Sequence, residues 1–152
     1  MVKNITENQA KMPIHFRNYI ESDLSQVRLL MEELGYPVPI EELMRNIAEI
    51  KNRGGQIIIA QEHDTVIGSV CVIIDVRLAE GIYAEIVSLV VNSEARGKGI
   101  GKALVKQAEQ WAITHVKKIR VRANAVRKEA HSFYETLGYN CIKQQKVFRK
   151  TL

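Results

Sequence analysis

Apolar residues recur along the chain with two different periods, which divide it into ten predicted elements. A spacing of three to four residues predicts a helix, whereas alternation or a short β-branched run predicts a strand. The predicted order is β-α-α-β-β-β-α-β-α-β, with one or two strands at the end. The elements span residues 14–19, 21–35, 40–55, 56–61, 66–75, 82–91, a turn and helix over 92–115, then 117–123, 127–138 and 139–152.

Length and composition are typical of one globular domain. Of the 152 residues, 46% are apolar and 26% are charged, which suits a fold that buries its own core. Residues 1–12 are polar and aperiodic, so we expect a flexible tail there and a single domain over residues 13–152. No apolar run reaches the roughly 18 residues of a membrane span, and the N-terminus lacks the apolar centre of a secretory signal. We therefore expect a cytoplasmic protein with no membrane partner.

Positive charge is concentrated between residues 96 and 128, which hold ten Lys or Arg residues against one acid, Glu109. This favours an anionic ligand, either a nucleic acid or a phosphorylated cofactor, although a solvated surface is the plainer alternative. No aromatic stacking residues accompany the charges, which argues against nucleic acid. Cys71 and Cys141 lack metal-ligand spacing, so we expect two buried cysteines and no metal site.

A basic, glycine-rich turn, "RGKGIG" at residues 96–101, separates the predicted strand 82–91 from a helix. Glycine permits close backbone approach, and the unpaired amides of a helix N-terminus bind phosphate. The spacing matches neither a Walker loop nor a Rossmann fingerprint, and a purely structural glycine loop is the alternative. The predicted ligand-binding residues are Arg96, Gly97, Lys98, Gly99, Ile100, Gly101 and Lys102.

This turn resembles the acyl-CoA motif of the GCN5-related N-acetyltransferase (GNAT) superfamily. That motif is Gln or Arg, two variable residues, Gly, one variable residue, then Gly or Ala, and Arg96, Gly99 and Gly101 fill it. The strand "EIVSLVV" before it, and Asn124 and "FYETLGY" (133–139) after it, follow in the expected order. The resemblance implies an α/β (α+β) GNAT fold, with a twisted mixed sheet of six to seven strands. The sheet would be splayed near its middle, with about four helices on its two faces and acetyl-CoA in the gap.

The resemblance also implies a catalytic base. Acetyl transfer to an amine needs a neutral amine, a polarised carbonyl and a proton for the departing thiolate. Glu85 occupies the position of the catalytic glutamate in the histone acetyltransferase branch and is the predicted base. Alternation would put it on one face with Val87, Leu89 and Val91, where desolvation would raise its pKa. A solvated glutamate, or one that binds a cationic substrate, is the alternative.

The other implied roles fall on the strand end and the last helix. Tyr134 corresponds to the tyrosine that protonates the coenzyme A sulfur, whereas a tyrosine of the core is the alternative. The backbone amides of Val90 or Val91, in the segment that begins at Leu89, would contact the carbonyl oxygen. Asn124 would hydrogen-bond the pantetheine arm, although asparagine is also common where strands end in turns.

The C-terminal sequence resembles GNAT enzymes of small amines, including aminoalkylphosphonate and aminoglycoside acetyltransferases. The first hypothesis is therefore an acetyl-CoA-dependent N-acetyltransferase whose acceptor, the primary amine of a small molecule, attacks directly. Acids at Glu32, Glu33, Glu41 and Glu42 would attract a cationic amine or form a solvated face. Two alternatives stay open: a protein N-terminal or lysine acetyltransferase, and a non-catalytic acyl-CoA-binding regulatory module. A homodimer is compatible with the resemblance.

Overall fold

A computed structural model describes residues 13–152, and the tail predicted for residues 1–12 lies outside them. Within the described range the chain forms five strands, four α-helices and single 3-10 turns at Glu21–Asp23 and Ser93–Ala95. The longer elements are β1 His15–Asn18, α1 Leu24–Leu34, α2 Ile40–Asn52, β2 Gln56–Glu62, β3 Thr65–Arg77, β4 Gly81–Val91, α3 Ile100–Ile113, β5 Ile119–Val121 and α4 Lys128–Thr136.

The strands form one mixed sheet in the order β1-β2-β3-β4-β5. The first four strands are antiparallel, whereas β5 follows the α3 crossover and is parallel to β4. The described parts of β4 and β5 pair only between Ala84–Ile86 and Ile119–Val121, so the two strands diverge beyond Ile86. The predicted α/β class, the mixed sheet and the four helices are confirmed.

Both faces of the sheet are covered by helices. On one face, the stripe of Leu104, Val105 and Ala108 along α3 is fully buried, and α4 packs beside it. On the other face, α1 and α2 bury Leu30 and Ile47 against the sheet. A continuous apolar run such as that of β2 is typical of a strand covered on both sides. None of the helices between residues 13 and 152 is long and apolar enough to cross a bilayer.

A buried ion pair joins β1 to the start of α1. The Asp23 carboxylate accepts hydrogen bonds from both terminal nitrogens of Arg17 at 2.8 Å and from the Ile20 amide at 2.9 Å. Asp23 is only 3% exposed, and a charge is seldom buried unless it is paired. The hydrogen bonds from Arg17 lower the pKa of the Asp23 carboxyl. Asp23 therefore holds the start of α1 against β1 through its ion pair with Arg17, because its side chain does not cap the amides of α1.

The prediction of closing strands, and with it of a sheet of six to seven strands, is wrong. Residues 140–152 form no strand in the described chain, and the sheet ends at β5. A strand exists only where a neighbour pairs its amides and carbonyls, and residues 140–152 form no ladder with any strand of the described sheet. Cys141 is consequently exposed, contrary to expectation, whereas Cys71 is buried. Burial raises the pKa of the Cys71 thiol to about 12.

Candidate active site

A cleft of about 400 Å³ opens where β4 and β5 diverge. Side chains from the end of α1, from both strands and from α4 line it, so it joins elements from both faces of the sheet. The lining residues are Leu34, Tyr36, Ile86, Val87, Ser88, Leu89, Val121, Arg122, Ala123, Asn124, Arg127, Glu129, Ala130, Phe133 and Tyr134.

A β-bulge in β4 shapes one side of this cleft. Cys71 of β3 pairs with Ser88, but the next residue, Val72, pairs with Ile86. Val87 is therefore an extra residue without a partner on β3, and its side chain is 46% exposed at the cleft. A bulge bends the strand and re-aims the side chains that follow it. The bend coincides with the position where β4 leaves β5, since their pairing also stops at Ile86.

The bulge also reverses the alternation of β4 between the two faces of the sheet. Ala84 and Ile86 contact the core beneath α3, and so do Leu89 and Val91 after the bulge. Glu85 lies between Ala84 and Ile86 in sequence and therefore faces the opposite side. The prediction that Glu85 shares a face with Leu89 and Val91 is wrong, because the extra residue shifts the period by one.

Glu85 is 8% exposed and takes part in a network of charged side chains. Its Oε1 accepts hydrogen bonds from Arg120 Nε at 2.6 Å and lies 3.1 Å from Arg122 Nε. Arg120 also contacts Asp75 and donates to Glu80 at 3.2 Å, so a single guanidinium joins three carboxylates. Glu85 itself does not line the cleft in the described chain, whereas Arg122 does. The role of Glu85 as a base stays a prediction.

Tyr134 lines the cleft from α4, with its ring at a centroid distance of 5.0 Å from Phe133 and 5.7 Å from Tyr139. Burial raises the pKa of the Tyr134 phenol. Its hydroxyl is therefore protonated at neutral pH and can donate to a group in the cleft. The neighbouring Tyr139 hydroxyl is buried and has no hydrogen-bond partner in the part of the chain that the structure describes.

The glycine turn before α3 has the geometry of an anion site. Gly97 and Gly99 have φ values of +80° and +77°, and a Cβ built on either would meet nothing within 4 Å. The first intrahelical hydrogen bond of α3 runs from the Ala103 amide to the Gly99 carbonyl at 3.1 Å. The amides of residues 100–102 precede that bond and have no acceptor among residues 13–152. Open space in front of unpaired amides fits a phosphate group.

The turn adjoins the cleft through α4. A Cβ on Gly101 would lie 3.5 Å from Cζ of Phe133, which lines the cleft. Arg96 Nε donates to the Val91 carbonyl at 3.2 Å, so the first basic residue of the motif is held at the end of β4. The Ile100 side chain is only 2% exposed, which leaves its amide, not its side chain, as the contact group. Lys98 and Lys102 are exposed beside the turn.

The remaining predicted site residues divide between the cleft and the core. Leu89 and Asn124 line the cleft. The Asn124 side chain accepts from the Val126 amide at 3.1 Å, and its carbonyl is 2.9 Å from Nε2 of His131. Val90 is buried beneath α1 and α2 and does not line the cleft. Val90 pairs with Ser69 of β3, and the Asn92 amide donates to the Ile67 carbonyl. Alternation along the ladder therefore directs the Val90 amide toward β3 and the Val91 amide away from it.

Sequence reasoning did not assign Tyr36, Arg122 or Arg127 to the site, although all three line the cleft. The only sequence signal for Arg122 and Arg127 is the general excess of positive charge between residues 96 and 128. Tyr36 follows the glycine that ends α1, and no motif marks it. The acids Glu32, Glu33, Glu41 and Glu42 do not line the cleft in residues 13–152. The Glu33 carboxylate instead accepts from the Ser93 hydroxyl at 2.9 Å. The described chain holds no cluster of three or more His, Cys, Asp or Glu residues suited to a metal ion.

Comparisons with known proteins agree with this geometry. The chain matches the model of the Acetyltransferase (GNAT) family over residues 24–139. YhdJ, an uncharacterized N-acetyltransferase of Bacillus subtilis (strain 168), is 27% identical over 124 residues, which are 80% of this chain and 86% of the relative. A transcriptional regulator from Bacillus halodurans C-125 superposes with a TM-score of 0.81 at 25% identity, over 91% of this chain and 100% of that one.

A further solved structure is AAC(6')-Iy in complex with the bisubstrate analog CoA-S-monomethyl-acetylneamine. It has a TM-score of 0.80 at 16% identity and covers 92% of this chain and 99% of its own. At that identity the likeness shows the fold alone. The family match includes both the glycine turn and the cleft, and acetyl-CoA is the acetyl donor of GNAT enzymes. This chain belongs to the GNAT family and is an N-acetyltransferase.

Proposed function

We propose that this chain transfers the acetyl group of acetyl-CoA to the primary amine of a small molecule by direct attack. The observation that carries the proposal is the cleft between β4 and β5, which brings the Tyr134 phenol to the unpaired part of β4. Its volume of about 400 Å³ lies within the range of about 300–1,000 Å³ that small-molecule sites occupy. The glycine turn, which adjoins the cleft through Gly101 and Phe133, would supply an anion site.

Acetyl-CoA supplies an acetyl group activated as a thioester. The amides of residues 97–102 would hold its diphosphate, and Arg96, Lys98 and Lys102 would add positive charge. The backbone of Leu89–Val91 and the side chain of Asn124 would bind the pantetheine arm of the cofactor, which reaches into the cleft. This assignment rests on the unpaired amides of the first turn of α3 and on the open space in front of Gly99.

Tyr134 is the proposed acid. As the new C–N bond forms and the C–S bond breaks, the phenol donates its proton to the departing sulfur. The raised pKa of Tyr134 keeps the proton on the phenol at neutral pH, so the proton is present when negative charge develops on the departing sulfur. The amide of Val91 would donate to the carbonyl oxygen, where negative charge develops, because the register of β3 and β4 directs the Val90 amide toward Ser69.

Glu85 has two proposed roles that its contacts distinguish. As a base it would take the amine proton through water, because it does not line the cleft in the described chain. As a positioning residue it would hold the guanidinium of Arg122, which lies 3.1 Å from its Oε1 and does line the cleft. The amine would then lose its proton to solvent water. The ion pairs with Arg120 and Arg122 support the second role more directly, since they already engage the carboxylate.

The charges of the cleft narrow the class of acceptor. Arg122 and Arg127 line it, against the single acid Glu129 among its described lining residues. A cleft with excess positive charge disfavours a polycation and favours an amine that is neutral elsewhere or carries a carboxylate, phosphonate or phosphate. We therefore place small amino acids and aminoalkylphosphonates ahead of aminoglycosides as acceptors.

The test is the release of free thiol from acetyl-CoA across three sets of amines: polycationic, neutral and acid-bearing, with peptides as a fourth set. We expect turnover with small amines, highest in the acid-bearing set. Turnover confined to peptides would favour a protein acetyltransferase, which needs an open groove for an extended chain. Tight binding of acetyl-CoA in calorimetry without turnover in any set would instead support a regulatory module.

A further inference from the structure

Arg122 lines the cleft from the end of β5. It follows Val121, the last residue of β5 that pairs with β4, so it lies where the cleft opens. Arg120, two residues earlier, is opposite Glu85 in the ladder and donates to it. Since Arg122 also pairs with Glu85, Arg120 and Arg122 lie on one face of the sheet, as alternation along a strand requires. That face is opposite the core beneath α3.

The position of Arg122 separates it from the proposed site of the cofactor diphosphate. The glycine turn opens α3, and the apolar stripe of α3 covers the other face of the sheet. On the face of Arg122, the cleft is lined by Leu34 of α1 and by Tyr36, which follows that helix. An anion that binds Arg122 would therefore belong to the acceptor rather than to the diphosphate of acetyl-CoA.

A network of ion pairs surrounds Arg122. Its members within residues 13–152 are three carboxylates and four cations: Asp75, Glu80, Glu85, Arg77, Arg120, Arg122 and Lys143. The network thus holds one more positive than negative charge. Among these members only Arg122 lines the cleft. Its side chain is 50% exposed, against 13% for that of Arg120, so the excess charge is accessible to a ligand in the cleft.

The Arg122 guanidinium is held from one side and open on the other. Its Nε lies 3.1 Å from Oε1 of Glu85, whereas its two terminal nitrogens donate no hydrogen bond within residues 13–152. The Glu85 oxygen is itself fixed by Arg120 Nε at 2.6 Å, and Arg120 Cζ lies 4.9 Å from the ring centroid of Tyr83. Two parallel N–H groups of a fixed guanidinium match the oxygens of a carboxylate or phosphonate.

We propose that Arg122 is the specificity-determining residue of the acceptor site and that its two terminal nitrogens bind an acid group of the acceptor. The inference rests on the proposed function and adds the residue that selects the substrate. The amine of the same molecule extends along the cleft toward Tyr134. Because the guanidinium is fixed, it selects one separation between acid group and amine, which a diffuse positive charge would not do.

The test compares amines with and without an acid group on the full-length chain. Glycine, β-alanine, γ-aminobutyrate, aminomethylphosphonate and aminoethylphosphonate are each matched with the alkylamine of the same chain length. The measured quantity is the ratio of kcat/KM for the acid-bearing amine to kcat/KM for the alkylamine. For the wild-type chain we expect a ratio above one that peaks at one length, and the carboxylate and phosphonate sets show which acid group is preferred.

Three variants separate the fork of Arg122 from its charge. Arg122→Met is expected to lower the ratio about 10- to 150-fold, as the loss of hydrogen bonds to a charged group predicts. Arg122→Lys keeps the charge without the fork, so we expect a partial loss of the ratio and no preferred length. Arg45→Met removes a positive charge from the exposed surface of α2 and is expected to keep the wild-type ratio.

Three results would overturn the proposal. One is a wild-type chain that prefers no acid-bearing amine at any length, which needs no variant to fold. Another is an unchanged ratio in Arg122→Met, and the third is an Arg122→Lys variant with the wild-type ratio and length preference. If no small amine is acetylated, the proposed function fails, and calorimetry decides on Arg122. Acid-bearing amines should then bind the wild-type chain saturated with free coenzyme A more tightly than Arg122→Met, and equal or absent binding contradicts the inference.

Discussion

Substitution of Gly99 by alanine tests whether the turn before α3 binds acetyl-CoA. Gly99 precedes the helix with φ +77°, and its missing Cβ faces open space. The amides of residues 100–102 follow Gly99 directly and have no acceptor among the described residues. The added methyl group would therefore obstruct the approach of a phosphate to these amides without colliding with the protein.

Two separate costs follow from Gly99→Ala. Left-handed backbone at a non-glycine residue costs about 1–2 kcal/mol, which lowers the free energy of unfolding. Loss of one hydrogen bond to a charged phosphate costs about 1.5–3 kcal/mol, which raises the Kd of acetyl-CoA about 10- to 150-fold. Urea denaturation measures the first cost, and isothermal calorimetry with acetyl-CoA measures the second. Neither assay requires the identity of the acceptor.

Gly54→Ala is the matched control. Gly54 has φ +80° and open space at its missing Cβ, but it follows α2 on the other side of the sheet. We expect the same loss of stability as for Gly99→Ala and an unchanged Kd. If Gly99→Ala loses stability while its Kd equals that of the wild-type chain, the amides of the turn do not contact the cofactor and the reasoning is refuted.

Three further predictions use other residues of the described chain. Tyr134→Phe is expected to lower kcat by about 10²–10⁴-fold, whereas Tyr139→Phe, which removes a buried hydroxyl without a described partner, should leave kcat unchanged; equal losses in the steady-state assay would contradict the acid assignment. Glu85→Gln is expected to raise the KM of the acceptor more than it lowers kcat, because the residue positions Arg122. If the pH–rate profile of the variant instead loses the acidic limb seen in the wild-type chain, Glu85 is the base. Asp23→Asn should cost about 1.5–3 kcal/mol of unfolding free energy at pH 7. Because the fold lowers the pKa of Asp23, wild-type stability falls as pH drops below about 4, so urea midpoints of wild type and variant should converge there.

The sequence predicted those parts of the site that depend on local spacing. The turn at Arg96–Gly101 and the phenol of Tyr134 follow from short motifs, because a helix N-terminus and a helix face are fixed within a few residues. The apolar stripe of α3 was also predictable, because Leu104 and Ala108 repeat at the helical period.

The parts that the sequence did not predict depend on distant partners. The bulge at Val87 leaves no mark in "EIVSLVV", because β4 is apolar on both faces and an extra residue changes no pattern. Glu85 accepts a hydrogen bond from Arg120, which lies 35 positions away in the chain, and no local sequence pattern predicts that contact. The closing strands failed for a related reason: alternation favours a strand, but a ladder also needs a neighbour.

The short ladder between β4 and β5 has a consequence for how acceptor size could diverge among relatives. Three residue pairs join the strands in the described chain, and the cleft begins where the last pair ends. A fourth residue pair would shorten the cleft, and the loss of one pair would lengthen it, without a change in the glycine turn or in Tyr134. The length of the cleft and the residues proposed for acetyl transfer thus belong to different stretches of the chain. Each can change in a relative without altering the other.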